Sequence, residues 1–332
     1  MKLWKYTPLD ALLLALSVGH FGLTLWLAAS WERSTAFGRA GGFALLVFLT
    51  VYDIIVVTHL FTHTPWFNSP LLNAMASMLN SVNAGQSAQA YRLTHVRNHH
   101  RYNNDRKGPG GATKDSSSTF LGGVGGEHEA VWRYALRGAG STLLGEGRSL
   151  LSVVRLWRVG ERALLELASA SAGRRARELR QVRLDRMAHI LAVCLFLAVS
   201  WRWTLACYLP ALALSLVLVN VQNYYEHFGA EPASRYADSV SYYGRLYNLL
   251  AFNDGYHQEH HLRPQAHWSV MPAVRRKFGD ELDRAGRVVS PLPAILGALH
   301  RNREQLHRRG IAVPAPGGDE SSEAPSRSPA HV

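Results

Sequence analysis

The pentapeptide HQEHH, His257 to His261, spaces three imidazoles by three and four residues, so a helix would carry all three on one face. The chain repeats the device. HLFTH sets His59 and His63 four apart, and HVRNHH holds His95, His99 and His100. NYYEH ends on His227, four residues after Asn223. Nine of the sixteen histidines fall in these groups, each at or beyond the end of an apolar run. Neutral imidazole is the commonest side-chain metal ligand. A single HxxxH pair arises by chance on helices, but four such groups do not. A buried cluster without ligands would be left unpaired or mutually repelling. The pattern therefore implies more than one bound metal ion. Cys194 and Cys207 both lie in apolar segments and form no CxxC site, so nitrogen and oxygen must supply the ligands. Nine histidines exceed the needs of one zinc site. Two six-coordinate ions with room for water or dioxygen fit better, although imidazole suits iron, zinc, copper and nickel alike.

Outward from these groups the apolar blocks predict an integral membrane protein. The chain has 332 residues, 47% hydrophobic and only 18% charged, below the usual quarter of a soluble domain. A hydrocarbon core takes roughly 20 helical residues. Blocks at 8–29 and 40–58 each meet that length. The first is too long for a signal-peptide core and lacks a cleavage site leading into a soluble domain. The third block, 186–221, would overshoot a bilayer as one helix, and Trp201-Arg202-Trp203 interrupts it. Two spans, 186–201 and 204–221, joined by a Trp-Arg-Trp turn at the lipid boundary are expected. The fold class read this way is all-α, with four transmembrane helices arranged as two hairpins.

Charge gives the orientation. The loop between the first two spans carries only Glu32, Arg33 and Arg39, whereas 91–186 holds 18 of the 36 Lys and Arg residues. By the positive-inside rule both termini and the central segment are cytoplasmic, and all four histidine groups with them. The net charge of +12 goes with an anionic membrane face. No nucleic-acid-binding signature accompanies it. From Val131 to about Val159, Trp132, Leu136, Leu151, Val154 and Trp157 alternate with arginines, which suits a helix lying on anionic lipid or an amphipathic helix packed on the catalytic domain. A single membrane domain over 1–312 and a disordered Pro/Ser/Gly/Ala-rich tail over 313–332 complete the expected organisation.

These residues resemble the integral-membrane fatty acid desaturase and hydroxylase superfamily. The resemblance covers roughly Asp53 to Pro272 and rests on HTPWF (His63 to Phe67), HVRNHHRYNND (His95 to Asp105), QNYYEHFG (Gln222 to Gly229) and, most specifically, FNDGYHQEHHLRP (Phe252 to Pro264). It implies a cytoplasmic helical cap holding a histidine-box di-iron site. His59, His63, His95, His99, His100, His227, His257, His260 and His261 would be the metal ligands, and Asn223 would reach one iron through a water. Two features depart from the pattern. Leu60 stands where well-known subgroups carry an acid after the first histidine, and the second box is HxxxHH rather than HxxHH. The resemblance further implies dioxygen as cosubstrate, a fatty acyl or lipid chain as substrate, and dehydrogenation of that chain. A separate ferredoxin or reductase would supply electrons, since no haem segment or iron–sulfur cysteine set is present.

Around the ligands, Asp53, Glu226, Asn253, Asp254 and Glu259 are candidates to orient the imidazoles. An acid at Asp53, near the end of a span, is expensive in lipid and needs a reason. Glu226 and Glu259 adjoin ligands, but neighbours on a helix point elsewhere, which favours plain surface charges. His20 is expected to bond between helices, His267 to be structural, and the run Ser116 to Thr119 to be a solvated loop. A hydroxylase, ketolase or alkane-monooxygenase-like oxygenase of the same superfamily would share every ligand. A metal transporter is the remote rival, and it would hold its ligands between spans near the midplane.

Overall fold

The computed structural model describes residues 2–155 and 162–300; the expected tail at 313–332 and the end of the amphipathic segment at 157–159 lie outside them. Helices dominate, and the only β pairs among the described residues are two isolated bridges. Three helical stretches are long and apolar enough to cross a membrane: Asp10–Arg33, Ala36–His63 and Ala172–His227.

The first stretch contains α1 (Asp10–Ser30), and a short turn leads into α2 (Ala36–Tyr52), capped by the Thr35 side chain on the Gly38 amide. The two helices pack closely: a Cβ on Gly42 would sit 3.0 Å from the Leu27 side chain. α2 does not stop at the expected residue 58. It passes through a π turn, Asp53–Thr58, and continues as α3 (His59–His63), so one continuous rod delivers the first two histidines.

The third stretch holds α9 (Ala172–Trp203), the π turn Thr204–Tyr208 and α10 (Leu209–His227). It is not straight. Ser200 has extended backbone angles inside the helical run. His189 Nε2 and Tyr208 Oη, 19 residues apart, lie 3.2 Å from each other. In an unbroken helix they would be about 28 Å apart, so the stretch folds back on itself next to the Trp-Arg-Trp motif. Phe196, Trp203 and Tyr208 pack ring against ring inside the bend.

Between the first and third stretches lies a helix the sequence left unassigned. α4 (Pro70–Ala84) starts with Ser69 as cap and Pro70 in its first turn, and it ends on the left-handed Gly85. Its 15 residues rise only about 22 Å, too short for a span. It packs on α9 and α1 through Ser77, Asn80, Ser81 and Asn83, all buried. In lipid there is little hydrophobic force between helices, so small and polar side chains hold them together. Here Ser17 Oγ donates to Asn80 Oδ1 (2.7 Å) and Asn83 Nδ2 donates to the Ser17 carbonyl (2.9 Å). Asp185 of α9 accepts from Ser77 Oγ, Ser87 Oγ and the Gln89 amide, which pins the end of α4 and the start of the next helix. Leu12, Leu16, Trp26, Phe48, Leu191 and Leu205 point outward from the rods, an apolar girdle that suits lipid.

The remaining helices lie outside these three stretches. α5 (Ala88–Thr94), the π turn His95–His99 and α6 (His100–Tyr102) carry the second histidine group. α7 (Val131–Arg155) packs Tyr134, Ala135 and Ala139 inward, chiefly on α10, as an amphipathic helix should, while Trp132, Leu136 and Leu144 stay exposed. After α8 (Arg162–Leu167) and the long hairpin come α11 (Arg245–Leu250), α12 (His257–Leu262), α13 (Met271–Lys277) and α14 (Gly279–Arg284).

Candidate metal centre

Four elements that end at one place bring the histidines together. α3 contributes His59 and His63, the α5–α6 segment His95, His99 and His100, the end of α10 His227, and α12 His257, His260 and His261. Ligand-capable atoms of His59, His63, His95, His100 and His260 all lie within 4.8 Å of one another, and those of His99, His227 and His261 form a second such set. His257 joins the second set, its Nε2 3.5 Å from that of His227. The sets adjoin, since the His100 and His261 rings are 4.4 Å apart.

The geometry of the first set fits an ion. His59 Nε2 lies 3.0 Å from His95 Nε2, and His100 Nε2 lies 3.1 Å from both His95 Nε2 and His260 Nε2. Two imidazole nitrogens at about 2.1 Å from one metal and at right angles to each other sit about 3 Å apart. The outer nitrogens fix which atom faces inward. His59 Nδ1 donates to the Ile55 carbonyl (3.1 Å) and His227 Nδ1 to the Asp238 carbonyl (3.1 Å). A carbonyl only accepts, so the proton is on Nδ1 and the Nε2 lone pair points into the cluster. Both nitrogens of His63 and of His261, and Nε2 of His99, are buried with no hydrogen-bond partner. Native interiors leave few polar atoms in that condition, and an ion held among these histidines would satisfy them. Burial first, then the charge of neighbouring imidazoles, pushes His95, His100, His257, His260 and His261 well below the ordinary histidine value. They are therefore neutral, the form that binds metal.

π turns set the register of two ligand segments. In an α-helix HxxHH puts its histidines on one face. HVRNHH has one residue more, and the i→i+5 turn at His95–His99 absorbs it. The turn at Asp53–Thr58 does the same work before His59. There Asp53 Oδ2 accepts from Thr58 Oγ1, five residues on, at 2.7 Å. Asp53 thus sits among Thr58, Asn83 (3.5 Å) and His20 (3.8 Å) in the helix bundle and touches no imidazole of the cluster.

The other candidates fall at different distances from the cluster. Asp254 Oδ1 is 3.7 Å from His59 Nδ1, and its Oδ2 accepts from Tyr247 Oη (2.8 Å). Asn253 donates to the Trp268 carbonyl (3.1 Å) and, with Phe252, takes a positive φ that turns the chain into α12. Asn223 is one turn before His227, and its amide donates to Tyr134 Oη. Glu226 and Glu259, for which surface charge is the alternative reading, are buried, because the His227 end of α10 and all of α12 are covered. Glu226 Oε1 is 3.7 Å from His257 Nδ1, and Glu259 accepts from Ser241 (2.9 Å) and Tyr243 (2.6 Å). Asp10 holds His267 through its Nε2 (3.0 Å), a structural clasp between the chain's two ends.

Two carboxylates beside the cluster escaped sequence reasoning. Asp115 accepts from His99 Nδ1 at 2.8 Å and also from the Asn104 amide (2.9 Å) and Ser117 (2.7 Å). Burial alone would raise this acid; His99 and Ser117 outweigh it and hold it well below the usual carboxylate range. The run Ser116 to Thr119 is solvated only at its start: Ser116 is exposed, while Ser118 and Thr119 are fully buried. Asp238 lies 4.0 Å from His261 Nδ1, and burial pushes its carboxyl up to about 7 although the Gln258 amide donates to it. Both acids come from loops at no helical spacing from a histidine, so no periodic signal marks them.

A cavity of about 570 Å³ opens beside the cluster. His59, His95 and His257 face it at one end, with Tyr91 stacked on His95 (ring centroids 5.1 Å). Ile54, Leu121, Leu164, Leu216 and Val219 line its apolar walls.

Comparison with known proteins agrees with this picture. The family model described as fatty acid desaturase matches residues 36–293, a stretch that contains all nine clustered histidines. A sphingolipid delta(4)-desaturase of Candida albicans is 43% identical over 54 residues, 16% of this chain and 14% of that protein, so the similarity covers a small part of its length. No solved structure matches.

Proposed function

The chain belongs to the fatty acid desaturase family, and on that premise we propose that it is an oxygen-dependent membrane di-iron desaturase that introduces a double bond into a fatty acyl or lipid chain. The observation that carries the proposal is the joining of nine imidazoles, in two adjacent sets, to the end of a cavity with apolar walls. A named lipid desaturase among its relatives favours dehydrogenation over the hydroxylase, ketolase or alkane-monooxygenase alternatives.

In this reading His59, His63, His95, His100 and His260 hold one iron, and His99, His227, His257 and His261 the other. When bound, the irons and dioxygen supply an oxidant able to remove hydrogen from an unactivated C–H bond. The protein's own part is positional. Ile55, Asp115 and Asp238 orient the imidazoles from behind. The cavity takes the chain out of lipid and excludes bulk water, which protects the reaction from side products. Asn223, one turn before His227, would hold a water beside one ion. Four spans with both termini and the histidines on the cytoplasmic side, and electrons from a separate ferredoxin or reductase, complete the proposal. The clusters at the ends of the rods, rather than between them, speak against a transporter.

Lipid profiling of a host with and without the protein, under isotopically labelled dioxygen, tests the reaction. A product lighter by two hydrogens, free of label, is expected. Labelled oxygen in the product would instead establish an oxygenase. His261→Ala is expected to abolish activity and lower the bound iron; full activity in that variant defeats the ligand assignment.

A further inference from the structure

The far end of the cavity carries chemistry that the metal centre does not use. The inner face of α7 runs along one wall through Tyr134, Gly138, Ser141, Thr142 and Gly145, at i, i+4, i+7, i+8 and i+11. From Tyr134, which is bonded to Asn223 near the metal end, to Glu146 the helix rises about 18 Å. Glu146 faces Arg186 of α9, the closest approach being 3.6 Å, and neither Arg186 Nε nor Glu146 Oε2 makes a hydrogen bond. Arg186 is only 5% exposed. On the proposed topology it is the first residue of the span 186–201, 14 residues before the Ser200 bend and at the cytoplasmic edge of the bilayer. A buried ion pair is costly to desolvate, and its retention needs a reason.

The charges of this wall cancel. Among the described residues the cations lining the cavity are Arg137 and Arg186. Arg137 is bound by Glu129 at 2.8 Å, and Arg186 faces Glu146. A carboxylate or phosphate would find no uncompensated cation and would meet the Glu146 carboxylate. A hydroxyl or carboxamide both donates and accepts, so it can satisfy the carboxylate and the guanidinium together.

The geometry points to a specificity subsite: the Glu146–Arg186 pair, with the Ser141 and Thr142 hydroxyls and the Asn220 amide, binds the uncharged hydrogen-bonding head of the substrate lipid, a hydroxyl or carboxamide, and selects against acyl donors headed by carboxylate or phosphate. This rests on the desaturase reading above, with the cavity as the substrate site.

Binding to the metal-loaded protein in detergent, read as a shift in thermal midpoint, tests it with three probes of one chain length: N-stearoylethanolamine, stearate and stearoyl-coenzyme A. Only the first is expected to raise the midpoint. Removing one partner of a buried ion pair risks the fold, whereas replacing both by apolar residues of similar size is usually tolerated. Glu146→Leu/Arg186→Met is therefore expected to melt like the wild type without lipid and to bind N-stearoylethanolamine at least roughly tenfold more weakly. Thr142→Val, whose lost hydroxyl otherwise bonds only its own helix's Gly138 carbonyl, should weaken it a few-fold and serves if the double variant does not fold. Equal or greater stabilisation by stearate or stearoyl-coenzyme A, or undiminished binding in the variants, overturns the subsite. If host lipids gain double bonds while a charged probe is preferred, the subsite alone falls. If no probe binds and no double bond appears, the desaturase reading falls with it.

Discussion

Each imidazole of the cluster is useful only if its free lone pair points inward, and that is settled by what stands behind it. Asp115 is the clearest case, a fully buried carboxylate whose contact with His99 Nδ1 leaves Nε2 for an ion. Asp115→Asn keeps the shape but weakens that grip, and an expected 10- to 100-fold loss of metal affinity follows from the typical cost of such supports. Competition with a chelator measures it; unchanged affinity would remove Asp115 from the role. Acid should act in the same direction. Histidines whose folded pKa lies below the unfolded value of about 6.5 bind fewer protons folded than unfolded once the pH falls under that value. Stability contributed by the neutral cluster is therefore present above about pH 6.5 and lost as the pH drops below it. Protons also compete with metal for the same lone pairs. Thermal midpoint and metal content should both decline together between pH 7.5 and 5, and a flat metal content over that range contradicts the neutral-ligand picture.

At the level of the element, the departures from helical regularity place the ligands. In a regular α-helix the HxxxHH spacing would spread its histidines over a wider face than HxxHH, but the π turn at His95–His99 absorbs the additional residue. Deleting Val96 should therefore convert the turn to α-helix and leave the spacing HxxHH, with metal retained. Inserting one alanine at the same point, which no single π turn can absorb, should cost the metal. Metal content of the two purified proteins checks this, and loss in the deletion with retention in the insertion would reverse the argument. The approach to α12 is equally constrained. A Cβ on Gly255 would lie 2.2 Å from the Tyr242 carbonyl oxygen, a backbone atom that cannot swing aside. Gly255→Ala is expected to cost about 1–3 kcal/mol in stability, the range for overpacking, and to loosen the third histidine group. A melting curve like that of the wild type would show that the backbone yields more readily than this contact allows.

On the proposed topology the whole molecule is a set of apolar rods with a polar head, and charge gives its expected orientation. A cysteine in place of Glu32, in the short turn between α1 and α2, should react with a membrane-impermeant maleimide from outside intact cells. One in place of Arg101, beside the second histidine group, should react only after lysis. The opposite pattern would invert the topology. The bend at Ser200 belongs to this scale too. From sequence it was legible as a Trp-Arg-Trp break in an apolar run that is too long for one span, and the contact of His189 with Tyr208 is its physical counterpart.

What the sequence by itself determined is whatever repeats at short range. Apolar runs have the length of a bilayer, and histidines at three- and four-residue spacing share a helix face, so the rods and all nine imidazoles could be read from the chain. Only the tertiary structure decided which groups meet from distant segments. It alone buried Glu226 and Glu259, brought Asp115 and Asp238 behind their histidines, set α4 among the rods through buried serines and asparagines, and opposed Glu146 to Arg186 across a cavity. These partners are joined by loop geometry and close packing rather than by period. Such contacts depend on how separate helices dock, and no local regularity of the chain records that.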